Sequence, residues 1–144
     1  MSAATRYVFD YGDPGGFRLA MACPERVTAI ISQNGNAYEE GLGRMGSCQV
    51  LLERAISRES RGNSEGSQSK RHTSGIWKPP CTQSAGKQDL YFIAPGAEAF
   101  RRDNPNATVQ FLDSGHFALE THVEEIALAM REFLAKLPLK PASR

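Results

Sequence analysis

The chain has 144 residues, a formal net charge of +1 and 40% hydrophobic residues, which is the composition of one ordinary globular domain. A charge this close to zero gives no indication of nucleic-acid or anionic-membrane binding, and no apolar run is long enough to span a bilayer. We therefore expect a soluble, cytoplasmic protein that binds neither nucleic acid nor membranes. The three cysteines are odd in number and widely spaced, and the three histidines lack metal-ligand spacing, so we expect neither a disulfide framework nor a metal site.

The first predicted unit is a strand, a sharp turn and a helix. Tyr7–Phe9 are β-forming residues, and Gly12 is suited to a tight turn. Asp13 followed by Pro14 is typical of a helix N-cap and first helical position. Asp10 then lies at the top of the turn, where strand–turn–helix elbows carry a nucleophile. An aspartate in an ordinary turn between a strand and a helix is the alternative interpretation.

The next segments complete a βαβ unit. The β-branched run Val27–Gln33 is typical of a buried parallel strand, and Asn34–Asn36 is a turn signal. A strand–helix–strand order predicts a parallel sheet with a right-handed crossover.

The composition changes after this unit. Residues 46–85 contain no Phe, Tyr, Asp or Met and are rich in Ser, Arg and Lys. Such a composition buries too little apolar surface to offset chain entropy, so the segment is predicted to be a disordered insert. Residues 1–45 and 86–144 then form the two parts of the folded core.

Order is predicted to return near Gly86. The pattern predicts a helix over Pro95–Asp103 and a strand over Ala107–Asp113. A loop containing His116 follows this strand. Thr121 and Glu124 are spaced as a capping box for a last helix, whose apolar stripe is predicted to face the core.

Two blocks, Tyr7–Leu42 and Gly86–Leu134, resemble the α/β-hydrolase fold in its aspartate-nucleophile branch, which holds haloalkane dehalogenases and epoxide hydrolases. The second block contains the segments GKQD and DSGHF, where this family keeps its acid and its histidine. The resemblance implies a partial α/β-hydrolase sheet, mainly parallel, with flanking helices and with the insert in place of the family's helical cap.

The resemblance also implies a catalytic triad. Asp10 corresponds to the nucleophile, Asp89 to the acid and His116 to the general base, and the backbone N–H of Tyr11 corresponds to an oxyanion donor. The implied activity is hydrolysis of a small organic substrate, an epoxide or alkyl halide, through an Asp10 ester and His116-activated water, with no cofactor. In the dehalogenases a tryptophan at the position of Tyr11 helps to hold the halide.

Besides the tyrosine at position 11, the chain departs from this family in two larger features. The family has strands before the nucleophile strand, and a loop there supplies a second oxyanion donor; it also has a cap before the acid. The alternative interpretation is therefore a non-catalytic, partly folded product of a truncated or frameshifted hydrolase gene, able to associate through exposed sheet edges.

Overall fold

The computed structural model describes residues 3–43 and 79–138, which form one four-stranded parallel sheet with helices on both faces. The strand order is β1-β2-β3-β4, and every neighbouring pair is parallel. The predicted parallel sheet is therefore confirmed. The strands are β1 (Ala4–Phe9), β2 (Val27–Gln33), β3 (Cys81–Gly86) and β4 (Thr108–Leu112). The helices are α1 (Gly12–Ala22), α2 (Ala94–Asp103), α3 (Ala118–Thr121) and α4 (Val123–Lys136), with single 3₁₀ turns at Pro24–Arg26 and Glu39–Gly41.

Strand β3 corrects the predicted limits of the disordered insert. Residues 81–85 were expected to belong to that insert, yet Cys81–Gly86 is a strand in which every residue is buried. Its small and polar side chains have low β-propensity, but their position between β2 and β4 satisfies the backbone hydrogen bonds and overrides that propensity. The remainder of the predicted insert, from 46 to 78, lies outside the described residues.

The larger hydrophobic core lies between the sheet and the helices α1 and α2. Phe17 of α1 and Phe100 of α2 contact each other, with ring centroids 5.5 Å apart. Ile30, Tyr38 and Val109 are buried in the same cluster. These contacts join the N-terminal and C-terminal parts of the chain into a single core.

A smaller core covers the opposite face. Leu112, Ala118 and Ile126 are buried together, with Met130 packed against them. Leu112 faces this cluster while Val109 faces the larger one, because side chains three positions apart in a strand point to opposite faces. Helix α4 thus flanks the sheet on the side away from α1 and α2.

The helix starts differ from the predicted ones. Helix α1 begins at Gly12 with Tyr11 as its N-cap residue, so Asp13 lies inside the first turn rather than capping it. Thr121 ends the short helix α3, and α4 begins at Val123 without a side-chain cap. The predicted capping box is therefore wrong. Among the described residues, no helix combines the length and apolar character needed to cross a membrane.

Candidate active site

The carboxyl ends of the four parallel strands lie at one edge of the sheet and carry the polar residues of the site. Asp10 follows β1, Asn34 follows β2, Asp89 lies in the loop after β3, and His116 lies in the loop after β4. A Cβ atom at Gly86 would approach the Gly115 carbonyl oxygen to 2.2 Å, so the absence of a side chain lets the last two loops meet. The four side chains therefore come from four different connections and converge at one place.

Asp10 occupies a left-handed backbone conformation, with a φ of 54°. A non-glycine residue in this region costs roughly 1–3 kcal/mol, although aspartate tolerates it better than most residues do. The turn is held by the Asp13 N–H, which donates to the Asp10 carbonyl oxygen at 3.1 Å. This tight turn joins β1 directly to α1 and leaves the Asp10 side chain at the end of the strand.

Asp89 is almost fully buried, accepts three hydrogen bonds and makes a fourth hydrogen-bond contact with His116. Its Oδ1 atom accepts from the backbone N–H groups of Tyr91 at 2.9 Å and Phe92 at 3.0 Å. Its Oδ2 atom lies 2.9 Å from His116 Nδ1 and accepts from Asn34 Nδ2 at 3.0 Å. A carboxylate oxygen beside Nδ1 favours the imidazole tautomer that carries its proton on Nδ1, which leaves Nε2 facing Asp10.

The free side of the imidazole faces Asp10. His116 Nε2 lies 3.4 Å from Asp10 Oδ1, and the His116 side chain is only 8% exposed. Four aromatic rings surround the imidazole at centroid distances of 4.9 to 5.9 Å: Phe9, Tyr91, Phe92 and Phe117. The imidazole is therefore fixed between two carboxylates inside an aromatic cage.

The electrostatics of Asp10 reflect this setting. Burial raises the pKa of the Asp10 carboxyl above its ordinary value, and the nearby Asp89 charge adds to that rise. His116 and the Tyr11 backbone N–H, which hydrogen-bonds the carboxylate, act in the opposite direction and lower the pKa. The Tyr11 N–H thus contacts the Asp10 carboxylate directly.

The structure brings all four sequence-predicted site residues together. Asp10, Asp89 and His116 form a continuous chain of contacts, with the backbone of Tyr11 at its end. Sequence reasoning missed Asn34, which was interpreted only as part of a turn. The signal available for it was its position: it is the first residue after a central parallel strand, where ligands and catalytic groups gather.

The mouth of the site is apolar. Each of the three side chains of the predicted triad is followed in sequence by an exposed apolar one, namely Tyr11, Leu90 and Phe117. The Tyr11 ring also packs edge-on against Phe92, at 5.4 Å. Within residues 3–43 and 79–138, no three His, Cys, Asp or Glu side chains come together as metal ligands would.

Comparison with known proteins identifies this architecture. No family model matches the sequence. The chain is 30% identical to an uncharacterized hydrolase of Saccharomyces cerevisiae over 182 aligned positions, which include 84% of this chain and 62% of the yeast protein. The chain therefore spans less than two thirds of that relative. The alignment is also longer than the chain, so the yeast protein carries additional residues within the aligned region.

Solved structures agree on the fold. A thermophilic esterase from Thermogutta terrifontis matches 94% of this chain and 65% of its own, with a TM-score of 0.69 and 15% identity. An epoxide hydrolase from Bacillus megaterium matches 94% of this chain and 70% of its own, with a TM-score of 0.61 and 17% identity. An α/β superfamily hydrolase from Oenococcus oeni matches with a TM-score of 0.68 and 9% identity, over 94% of this chain and 67% of its own. The described residues thus form a partial α/β-hydrolase fold.

Proposed function

We propose that this protein is a hydrolase of the α/β-hydrolase type whose nucleophile is the Asp10 carboxylate. The observation that carries the proposal is the approach of His116 Nε2 to within 3.4 Å of Asp10 Oδ1, at a left-handed turn between β1 and α1. A carboxylate at such an elbow is a nucleophile toward carbon, and a neutral imidazole beside it is a base for water. The 30% identity with a yeast hydrolase supports the reaction class.

The first step would form an ester. An oxygen of Asp10 attacks a carbon of the substrate, a new C–O bond forms, and the bond from that carbon to the epoxide oxygen or halide breaks. The epoxide oxygen takes a proton from a water molecule, or the halide departs as an anion. The exposed apolar side chains of Tyr11, Leu90 and Phe117 around the site favour a substrate with an apolar body.

The second step would hydrolyse the ester. His116 Nε2 removes a proton from a water molecule, whose oxygen attacks the Asp10 acyl carbon. The Tyr11 N–H donates to the oxygen that becomes negative, and Asp89 stabilises the imidazolium through Nδ1. When the intermediate collapses, the ester C–O bond breaks and the leaving oxygen takes the proton from His116 Nε2, so the alcohol or diol is released. The Asp10 carboxyl group then loses its proton to solvent and the carboxylate is regenerated.

The structural similarity to the Bacillus megaterium epoxide hydrolase supports an epoxide as the first probe, because the folds agree at a TM-score of 0.61. A cytoplasmic location and association through sheet edges stay predictions from the sequence. The frameshift hypothesis concerns residues that lie outside the described ranges.

The test is to trap the intermediate. The H116Q variant, incubated with styrene oxide or 1-bromobutane, should gain the mass of one alkyl group on the peptide that contains Asp10, because its ester forms and is not hydrolysed. The D10N variant should gain no such mass. If neither wild type nor H116Q forms an ester with either probe, the proposed function is wrong and the non-catalytic interpretation gains support.

A further inference from the structure

Asn34 lies at the centre of the site, although no catalytic step uses it. It is the first residue after β2, between the strand that leads to Asp10 and the strand that leads to Asp89. The residue is almost completely buried and has a φ of 42°, in the left-handed region. Its backbone N–H donates to the Ser84 carbonyl oxygen at 2.8 Å, which fixes its position against β3.

The Asn34 amide contacts both sides of the acid–histidine pair. Its Nδ2 atom donates to Asp89 Oδ2 at 3.0 Å, the same oxygen that faces His116 Nδ1. The same Nδ2 atom also donates to the Gly115 carbonyl oxygen at 3.3 Å, on the residue that precedes His116. One side chain thus ties the loop after β3 to the loop after β4.

Two further side chains continue the chain of hydrogen bonds away from the site. Gln33 Nε2 donates to Asn34 Oδ1, and the Tyr7 hydroxyl donates to Gln33 Oε1 at 3.2 Å. Burial and the nearby Asp13 carboxyl raise the pKa of the Tyr7 hydroxyl, which therefore keeps its proton and acts as a donor. Every donor in the series Tyr7, Gln33, Asn34 points toward Asp89. Gln33 and Asn34 are buried, where hydrogen bonds aligned in one direction strengthen one another, whereas Tyr7 at the outer end is about half exposed.

We infer that Asn34 is a positioning residue for the Asp89–His116 pair, and that Gln33 and Tyr7 extend its hydrogen-bond chain to strand β1. This inference rests on the proposed function and assigns these side chains to its second step. With the amide in place, Asp89 Oδ2 is held as an acceptor in one orientation, so that His116 keeps its proton on Nδ1 and Nε2 stays free for water. Ester formation by Asp10 uses neither member of the pair as a base.

The main test is the N34G variant, because glycine tolerates the left-handed backbone while the whole Asn34 side chain, with its amide, is removed. Ester hydrolysis should slow by roughly 10- to 100-fold, since small displacements of a catalytic group have effects of this size. Ester formation from styrene oxide should change by less than about threefold, so the Asp10 ester accumulates in a rapid-quench experiment. Equal slowing of both steps, or of neither, would overturn the inference.

The hydrogen bond from Tyr7 at the outer end of the series provides a milder variant and a control for it. The Y7F variant removes the outermost donor and should slow ester hydrolysis by about twofold, which is less than the effect of N34G. T5V is the matched control, because Thr5 and Thr28 form another cross-strand pair between β1 and β2, at 3.2 Å, away from the site. T5V should lower the melting temperature about as much as Y7F does and leave ester hydrolysis unchanged. A larger kinetic effect for T5V than for Y7F would contradict the proposed chain.

A second readout does not depend on activity. Nitrogen-15 chemical shifts of the His116 ring, measured at a pH where the imidazole is neutral, should show the Nδ1–H tautomer in the wild type and a mixture in N34G. The same tautomer in both proteins would overturn the inference even if neither forms an ester. If the wild type forms no ester but the tautomer still differs between the wild type and N34G, the proposed function is contradicted and the positioning role of Asn34 is not.

Discussion

At the scale of single residues, the least expected side chain is Asp13. It lies in the first turn of α1, completely buried, with Oδ2 accepting a hydrogen bond from the Ser32 hydroxyl at 2.7 Å. Its Oδ1 atom has no hydrogen-bond partner among the described residues. Burial raises the pKa of Asp13 to about 7, with the hydrogen bond from Ser32 opposing the rise and the charge of Asp10 adding to it.

The buried Asp13 carboxyl should make the protein less stable as the pH rises. Its pKa is raised on folding, so the folded state binds the proton more tightly than the unfolded state does. Protonated Asp13 contributes its full stabilisation below the pKa of the unfolded state, about 4, and this stabilisation is lost as the pH rises through about 7. The free energy of unfolding should fall by on the order of 4 kcal/mol over this range. Urea unfolding between pH 4 and pH 8 measures the loss.

The D13N variant isolates this effect. It keeps the shape of the side chain and the acceptor for Ser32 but cannot ionise, so its free energy of unfolding should vary less with pH and exceed that of the wild type at pH 8. D113N is the matched control, because Asp113 is exposed and pairs with Gln88 at 2.7 Å on the surface. If D13N and D113N have the same pH dependence, the Asp13 account is wrong.

Residue identities at the site were largely accessible from the sequence. Asp10, Asp89 and His116 each follow a strand in the order that the resemblance implies, and the structure brings them into contact. Asn34 and Asp13 were not recognised, for different reasons. A side chain that acts through another has no motif of its own, and an aspartate before proline at a helix start is normally an exposed cap. Asp13 is buried instead because α1 packs against the sheet at Ser32 of β2.

At the scale of elements, helix α1 packs closely against strand β1 where Gly16 of the helix faces Val8 of the strand. A Cβ atom at Gly16 would approach Val8 Cγ1 to 2.2 Å, whereas one at Gly15 would meet nothing within 4 Å. The two glycines are adjacent in the same helix, yet only one of them faces the sheet. The distance between α1 and β1, and with it the turn that holds Asp10, depends on Gly16.

Alanine at these two glycines should have opposite effects. G15A should stabilise the protein by roughly 0.5–1 kcal/mol, because alanine loses less chain entropy than glycine does in a helix. G16A should destabilise it by roughly 1–3 kcal/mol, because the added methyl group overpacks the contact with Val8. Chemical denaturation of both variants measures the difference, and equal free energies of unfolding would contradict the described packing.

The elements also show where sequence patterns were sufficient. The β-branched run gave the bounds of β2 (Val27–Gln33), and Pro95 placed the start of α2 to within one residue. Strand β3 was missed because its burial comes from its two neighbours and not from its own side chains. The apolar stripe of α4 was expected to be core, but Val123 and Leu134 are about half exposed and only Ile126 is fully buried.

At the scale of the whole molecule, the described sheet is a partial α/β-hydrolase fold in which the predicted nucleophile, acid and histidine lie close together. Within the described ranges, β1 pairs with β2 alone, and the chain spans 62% of its yeast relative. The fold places the ends of four parallel strands at one edge, so Asp10, Asp89 and His116 can converge on a partial sheet.

The most direct test of the account is a single turnover of styrene oxide in water enriched in oxygen-18, with enzyme in excess. A covalent Asp10 ester predicts that the label enters the Asp10 carboxylate and that the first diol carries an unlabelled oxygen from that side chain, because water attacks the acyl carbon. Mass spectrometry of the diol and of the Asp10 peptide measures both. Label in the diol with none in Asp10 would contradict the account.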